Sequence, residues 1–276
     1  MSNKSYILAG VATVAAVGIA AHYLVSKKEA AGGNKGPSFR KSADKAAVGK
    51  DVCQFVANAA KSAIKSRGVF HLAVAGGSLL DTLSKLVDHK DDVDFSKVVL
   101  SFANHKCVAP TSDKATLTKC KSKFADAVGI TRFIEPSPTP ADSGDGSAEA
   151  EFYAKALKDA GVPHVDGKPL VDLILLGLGA DGHVGSCHPL GPAVAEASKS
   201  VAASPKSGEP ASITFTIETM NAARQVGVVV TGGAKGKKEA VKRAMTRPAE
   251  TPRGVFPAQS LKAPVFFVDS EAAADL

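Results

Sequence analysis

Short apolar runs alternate with stretches of helical periodicity along most of the chain. The apolar runs predict buried strands at Val69–Ala75, Lys97–Ala103, Leu170–Leu176, Ile213–Thr216, Val226–Thr231 and Pro264–Val268. Apolar residues that recur at three and four positions predict helices over Phe39–Ser66, Leu79–Val87, Ala115–Val128, Ala148–Ala160 and Lys235–Met245. This alternation is typical of α/β proteins with a doubly wound, mainly parallel sheet and helices on both faces. We expect one such domain over residues 39–276.

A further apolar segment precedes this domain. Residues 6–25 carry no charge and are followed directly by Lys27 and Lys28, so the segment is long enough to cross a bilayer as a helix. A cleaved secretory signal or an organellar targeting element are alternatives to a retained anchor. The length and the basic residues that follow favour a single-pass anchor in residues 1–28, which we expect in a mitochondrial membrane, or else in the ER or a cytosol-facing membrane. Glycine-rich residues 29–38 predict a flexible linker.

The composition narrows the class of ligand. The 276 residues carry a net charge of +7, but only 5% are aromatic and there is no tryptophan. Binding of nucleic acid by base stacking is therefore not expected, whereas a basic surface favours small anionic molecules. The four cysteines show neither disulfide nor zinc spacing, which predicts free thiols in a reducing compartment.

Two predicted strands end in glycine turns that could hold a phosphate. Gly76, Gly77 and Ser78 follow the first strand, where glycines let backbone amides approach an anion closely; a plain turn with Ser78 as helix N-cap is the alternative. After the Val226–Thr231 strand, two glycines precede Lys235, whose amine could reach a phosphate on the same rim or belong to a solvated basic helix face.

The clearest candidate for catalysis follows the strand near residue 175. Asp181 and His183 lie in a glycine-rich turn, where an aspartate can orient a histidine that takes a proton from water. The carboxyl ends of parallel strands meet at one edge of a sheet, so this turn and the Gly76 turn should be neighbours. No metal site is expected, because His183 and His188 are five residues apart and share no helical face.

Together these segments resemble the 6-phosphogluconolactonase family, which shares its fold with glucosamine-6-phosphate deaminases. The resemblance rests on Gly76-Gly77-Ser78, on the run from Leu175 to His183 with Ser186 and Pro189, on Thr231 to Lys235, and on the terminal Phe256-Pro257-Ala258 and Phe267-Val268-Asp269. It implies hydrolysis of 6-phosphogluconolactone in the oxidative pentose phosphate pathway without metal or organic cofactor. His183 would activate water, Asp181 would support it, and Gly76, Gly77, Ser78 and Lys235 would hold the phosphate.

One motif departs from that family. Its Asp-Glu-Arg sequence is replaced by Asn104-His105-Lys106, so both acids are absent and Lys106 keeps only the positive charge with which to hold a phosphate. Asp113-Lys114-Ala115-Thr116 also stands where the family usually has Ser-Asn, and Gly185 replaces a more usual alanine.

These departures leave more than one function open. The first is a lactonase tethered to a membrane through residues 6–25, acting on a phosphorylated sugar lactone with altered binding. The second is a catalytically inactive, lactonase-like subunit of a membrane protein complex. Deamination of a sugar phosphate is weaker, because the acids that would transfer protons are missing.

Overall fold

A parallel sheet organises the chain in the computed structural model, which describes residues 36–139, 144–207, 209–233, 236–246, 252 and 254–276. Residues Pro37–Leu276 form one compact unit. Within the described residues the sheet has seven strands, and every neighbouring pair in it is parallel. In order across the sheet they are β1 (Ser38–Ser42), β12 (Val265–Asp269), β11 (Val226–Val230), β8 (Leu173–Gly177), β2 (Phe70–Val74), β3 (Val98–Phe102) and β5 (Arg132–Phe133).

The strand order reverses between β2 and β8. The chain runs outward from β2 to β3 and β5, then returns to β8 on the other side of β2 and continues to β11 and β12. Ligands of open α/β sheets bind beyond the carboxyl ends of the strands at such a reversal. All residues of β2, β3 and β11 are buried, as expected for central strands covered on both faces. The prediction of an α/β fold with a mainly parallel sheet is confirmed.

Two smaller sheets complete the strands of the described residues. β4 (Asn104–Lys106), β10 (Ser212–Phe215) and β9 (Val201–Ser204) pair antiparallel in that order, and β6 (His164–Val165) pairs antiparallel with β7 (Lys168–Pro169). The predicted strand at Ile213–Thr216 therefore exists but does not belong to the parallel sheet. β4 follows β3 after the single residue Ala103, so the second sheet begins where the Asn104 segment leaves the first.

Each predicted helical segment contains helix, with shifted ends, and two short helices at Pro192–Ala195 and Ile217–Ala222 were not predicted. The helices are α1 (Lys45–Arg67), α2 (Leu79–Thr82), α3 (Thr116–Cys120), α4 (Asp126–Val128), α5 (Ser147–Asp159), α6 (Pro192–Ala195), α7 (Ile217–Ala222) and α8 (Lys237–Thr246). A π-helical turn, Lys121–Ala125, joins α3 to α4, and 3₁₀ turns occupy Leu83–His89, Phe95–Lys97 and Pro257–Ser260. The helix predicted at Ala115–Val128 is thus one irregular helical segment rather than a regular α-helix.

The prediction that α1 begins at Phe39 is wrong. Residues 38–42 instead form strand β1, in which Ser38 pairs with Val265 of β12. The Asp44 side chain then accepts a hydrogen bond from the Ala47 amide at 2.8 Å, which caps the helix, and Gly68 ends it with φ of 76°. The apolar face of α1, which includes Val48, Val52 and Val56, is buried in the core.

The expected membrane anchor at residues 6–25 lies outside the described residues, as does most of the expected linker at 29–38. The described part of the chain contains no helix that is long and apolar enough to cross a membrane. Ser38, the last residue of the expected linker, belongs to β1.

Candidate active site

Asp181 and His183 form a hydrogen-bonded pair in the turn after β8. Oδ1 of Asp181 accepts from the backbone amide of His183 at 3.1 Å and lies 2.6 Å from its ring Nδ1. Both side chains are partly open to solvent, with 50% of Asp181 and 35% of His183 exposed. Because the carboxylate faces Nδ1, that nitrogen carries the proton and Nε2 is left as the basic atom.

Glycine is required inside this turn. A Cβ atom at Gly179 would lie 2.0 Å from Nδ1 of His183, so the ring occupies the space that any other residue would need. Gly182 has φ of 87°, and its backbone lies against the Phe256 ring. The amide of Ala258 donates to the carbonyl of Gly182 at 3.0 Å. The Phe256-Pro257-Ala258 segment therefore supports the histidine turn from outside.

Hydrogen bonds from His183 keep the Asp181 carboxyl ionised. Partial burial on its own would raise the pKa of this carboxyl, but the hydrogen bonds from the His183 amide and ring outweigh burial, and the pKa is lowered below its usual value. An ionised Asp181 both fixes the imidazole tautomer and stabilises the imidazolium that forms when Nε2 takes a proton. The pair has the arrangement of a general base with its orienting carboxylate.

His188, to which the sequence analysis assigns no role, lies beside this pair. Its ring centroid is 4.6 Å from that of His183, and its Nδ1 is 3.9 Å from Oδ2 of Asp181. Burial, and then the neighbouring His183, lower the pKa of His188 below its usual value. Residues five apart share no helical face, but His183 and His188 lie on an irregular turn through Gly185, which brings their rings together.

The Gly76 turn is joined to the histidine turn by Asn104. Oδ1 of Asn104 accepts from the Gly76 amide at 2.9 Å, and Nδ2 donates to Oγ of Ser186 at 3.0 Å. Gly77 takes φ of 93°, a left-handed conformation that favours glycine, and Ser78 makes no side-chain capping hydrogen bond. Asn104 stands where the resemblance places an aspartate; it has the size and the acceptor of that residue without its charge.

Lys106 lies on the same side of β4 as Asn104, because alternate residues of a strand share a face. Its amine pairs with Oε2 of Glu209 at 3.1 Å, and both side chains are about two-fifths exposed. Lys206 pairs with the other oxygen of Glu209 at 3.0 Å. The amine of Lys106 is thus partnered by a carboxylate within the protein.

Lys237, which follows Lys235 by two residues on the basic helix, is a further cation at the site. Lys235 lies outside the described residues, and α8 begins two residues later at Lys237. The Lys237 amine donates to the carbonyl of Leu178, in the histidine turn. Burial lowers the pKa of Lys237, and the charge of Asp181 acts in the opposite direction. In the sequence, the charge of Lys237 does not distinguish it from the neighbouring lysines. Its hydrogen bond to Leu178 in the structure does.

The Gly232 turn lies at the same edge of the sheet but faces acids. The amide of Gly232 donates to Oδ2 of Asp269 at 2.8 Å, and that of Gly233 donates to Oε2 of Glu271 at 3.3 Å. Ser78, Thr231 and Gly232 share an open cleft with these two acids. The amides of this turn are therefore occupied by carboxylates of the same chain.

The comparisons with known proteins establish the family. The model of the glucosamine-6-phosphate isomerases/6-phosphogluconolactonase family matches residues 43–265, so the chain belongs to that family. Over 237 residues it is 32% identical to 6-phosphogluconolactonase 3, chloroplastic, of Arabidopsis thaliana. The aligned region covers 82% of this chain and 71% of that protein.

Solved structures show the same fold at lower identity. The 6-phosphogluconolactonase of Leishmania guyanensis superposes with a TM-score of 0.73 at 19% identity, over 87% of this chain and 98% of that one. A monomeric glucosamine-6-phosphate deaminase superposes with a TM-score of 0.67 at 17% identity, over 86% of this chain and 99% of that one. Because both chemistries occur on this fold, the activity has to be argued from the residues of the site.

Proposed function

We propose that this protein hydrolyses 6-phosphogluconolactone, the reaction named for its relatives. The observation that carries the proposal is the Asp181–His183 pair, with Nδ1 held 2.6 Å from the carboxylate beside the reversal of strand order. No hydrogen bond to Nε2 of His183 is made within the described residues, so this nitrogen is available to a water molecule.

The reaction needs only a base, water and a bound substrate. Nε2 of His183 takes a proton as the water oxygen attacks the lactone carbonyl carbon, and Asp181 stabilises the imidazolium. The ring C–O bond then breaks, and the imidazolium returns its proton to the departing alkoxide. The product is the open-chain acid, which loses a proton to solvent, so the atoms and charges balance without a cofactor.

The Gly76 turn and nearby lysines bind the phosphate group of the substrate. The Gly76 amide is already bonded to Asn104, so the amides of Gly77 and Ser78 and the Ser78 hydroxyl are the donors of this turn. We assign Lys235 to the phosphate as expected from sequence, and add Lys237 for its position beside the histidine turn. Lys106 joins them only if its amine exchanges Glu209 for the phosphate. Replacement of an acid by the neutral Asn104 removes a negative charge that would repel an anionic substrate.

The inactive-subunit alternative is not favoured. Folding alone does not require an ionised carboxylate on a half-exposed histidine, yet Asp181 and His183 retain that pairing. Deamination remains less favoured than hydrolysis, because the two acids of the Asn104 segment are absent.

The test is hydrolysis of 6-phosphogluconolactone by the full chain, measured above the spontaneous rate. We expect His183→Ala to lose about two to four orders of magnitude in rate, while His89→Gln, which changes a histidine at the end of the Leu83–His89 turn that faces Asp92 at 3.7 Å, leaves the rate unchanged. Gluconolactone without phosphate should be hydrolysed poorly. Equal rates for the wild type and His183→Ala would refute the proposal, and release of ammonia from glucosamine 6-phosphate would replace it.

We further propose an organellar location with residues 6–25 as a membrane tether. Chloroplast forms among the relatives support an organelle, and the uncharged length of the segment supports the tether. The full chain should stay with membranes after alkaline carbonate extraction, whereas a chain that begins at Gly36 should be released. Recovery of both in the soluble fraction would contradict the tether.

A further inference from the structure

Three side chains with metal-binding atoms meet at the histidine turn. One atom each from Asp181, His183 and His188 lies within 4.8 Å of the others. The carboxylate divides its oxygens between the two rings, with Oδ1 facing Nδ1 of His183 at 2.6 Å and Oδ2 facing Nδ1 of His188 at 3.9 Å. The two imidazole centroids are 4.6 Å apart, and the ring planes are inclined to each other at 47°.

Rotation of the exposed side chains would bring these atoms to the separations of the ligands of a small cation. Ligand atoms about 2.0–2.2 Å from a tetrahedral zinc ion stand roughly 3.3–3.6 Å from one another. The two measured separations lie on either side of that range, and His188 is 48% exposed, so its ring can turn without disturbing the core. Two imidazoles and one carboxylate are ligands that zinc, cobalt and nickel prefer, whereas magnesium and calcium prefer oxygen alone.

We propose that Asp181, His183 and His188 bind a divalent cation of the zinc class, with at least one coordination position open to solvent. The open position follows from the half-exposed state of all three side chains. The cation takes the place of the proton that Nδ1 of His183 now directs at Asp181; that proton passes to solvent while Nε2 takes one up, so the ring stays neutral.

The cation inhibits hydrolysis, a consequence that rests on the proposed function. An imidazole bound to a metal through Nδ1 carries its proton on Nε2. Nε2 of His183 is the atom proposed to take the proton from water, and as an N–H group it no longer can. Coordination also engages Asp181, so both members of the pair are removed from the reaction while the cation is bound.

Binding is tested without any measurement of activity. The full chain, freed of metal by a chelator, is titrated with Co²⁺ as the probe, and the visible bands of four- or five-coordinate Co²⁺ are followed. We expect saturable bands at one equivalent, and binding at least about tenfold weaker for His188→Gln, since loss of an outer partner alone typically costs that much. The matched control is His89→Gln, because His89 faces Asp92 at 3.7 Å without a second imidazole; it should bind like the wild type.

Two results of this titration overturn the site: the absence of Co²⁺ bands in the wild type, or binding by His188→Gln equal to that of the wild type. His188 is exposed, so its replacement should not unfold the chain, and unchanged thermal unfolding of the variant checks this.

The effect on the reaction is measured separately, as the ratio of hydrolysis rates with and without Zn²⁺. We expect Zn²⁺ to suppress the wild-type rate at least tenfold and a chelator to restore it, with the suppression shifted to higher Zn²⁺ in His188→Gln. A rate that rises with Zn²⁺ overturns the inhibitory role. If Co²⁺ binds in a His188-dependent way but no hydrolysis occurs under any condition, the metal site stands and the proposed function fails.

Discussion

The side chain of Asn104 connects the Gly76 amide to the Ser186 hydroxyl, with hydrogen bonds of 2.9 and 3.0 Å. Two turns that leave neighbouring strands on either side of the strand-order reversal are thereby held by one neutral amide. The replacement of the family's aspartate thus keeps the connection and changes the charge.

Asn104→Ala should remove this connection. We expect a loss of about 1 kcal/mol in the free energy of unfolding, because the partly buried amide of Gly76 is left without its acceptor, and a drop in hydrolysis of about tenfold or more as the turns move apart. Asn104→Asp retains the acceptor and should preserve stability better, while its charge raises KM for the anionic substrate. Urea unfolding and steady-state kinetics of both variants test this; equal KM for Asn104→Asp and wild type would contradict the role given to charge.

Gly179 and Gly177 offer a matched pair of substitutions in the same segment. A Cβ at Gly179 would meet Nδ1 of His183 at 2.0 Å, whereas a Cβ at Gly177 has nothing within 4 Å, and neither glycine needs a positive φ. Gly179→Ala should therefore displace the imidazole and abolish most hydrolysis, and Gly177→Ala should change the rate little. Similar rates for both variants would mean that the ring position does not matter.

Asp181→Asn should separate the charge of the carboxylate from its shape. An amide in this position can donate to Nδ1 and so favour the tautomer with the proton on Nε2, which cannot take a proton from water. We expect a loss of about two to four orders of magnitude in kcat with an unchanged melting temperature. A variant with near wild-type kcat would show that the Asp181 carboxylate does not orient the base.

His105 should make the stability of the fold depend on pH. The ring is buried, neither nitrogen makes a well-formed hydrogen bond in the described part of the chain, and burial lowers its pKa from 6.5 to about 4. The unfolded chain binds a proton near pH 6.5 that the folded chain does not bind until about pH 4. Stability should therefore fall as pH drops through this window, by up to about 3 kcal/mol.

His105→Leu should flatten this dependence in urea unfolding between pH 7 and pH 4.5. Some slope should persist, since burial also lowers the pKa of His71. An unchanged slope in the variant would assign the effect to other groups.

The cysteines should react slowly in the native protein. All four are free, and burial raises the pKa of Cys53 and Cys187 to about 12 and that of Cys107 to about 11. Cys120 is also buried, and its pKa is raised in the same direction. Because the thiolate is the reactive form, we expect little reaction with a thiol-specific disulfide reagent before unfolding and four equivalents after it. Rapid labelling of the native chain would contradict this.

The sequence was sufficient to locate the strands and helices whose apolar residues follow a regular pattern. The buried strands around Leu72, Leu100 and Leu175 could be located because unbroken apolar runs are required where helices cover both faces. β1 was missed, because four of its five residues are exposed and its partner lies at the other end of the chain. Pairing across such a distance leaves no local signal.

The site residues also divide into those with a local signal in the sequence and those that tertiary contacts bring together. Asp181 and His183 could be recognised because the pair lies within three consecutive residues. The contact of His188 with that pair, the link through Asn104 and the approach of Lys237 depend on turns whose course is set by tertiary contacts. Lys106 shows the converse: its type suggested a phosphate ligand, but Glu209, 103 residues away, takes its amine in the structure.

The pairing of β1 with β12 has a consequence for the order of assembly. The amide of Ser38 donates to the carbonyl of Pro264 at 3.0 Å, and the strand register runs from Ser38 opposite Val265 to Ser42 opposite Asp269. During synthesis β1 therefore has no partner until β12 and all the residues between the two strands have been made. Pairings of such long range are slow to form and leave strand edges open to association with other chains. The docking of β1 therefore cannot precede the synthesis of β12, and until then this edge of β1 stays unpaired.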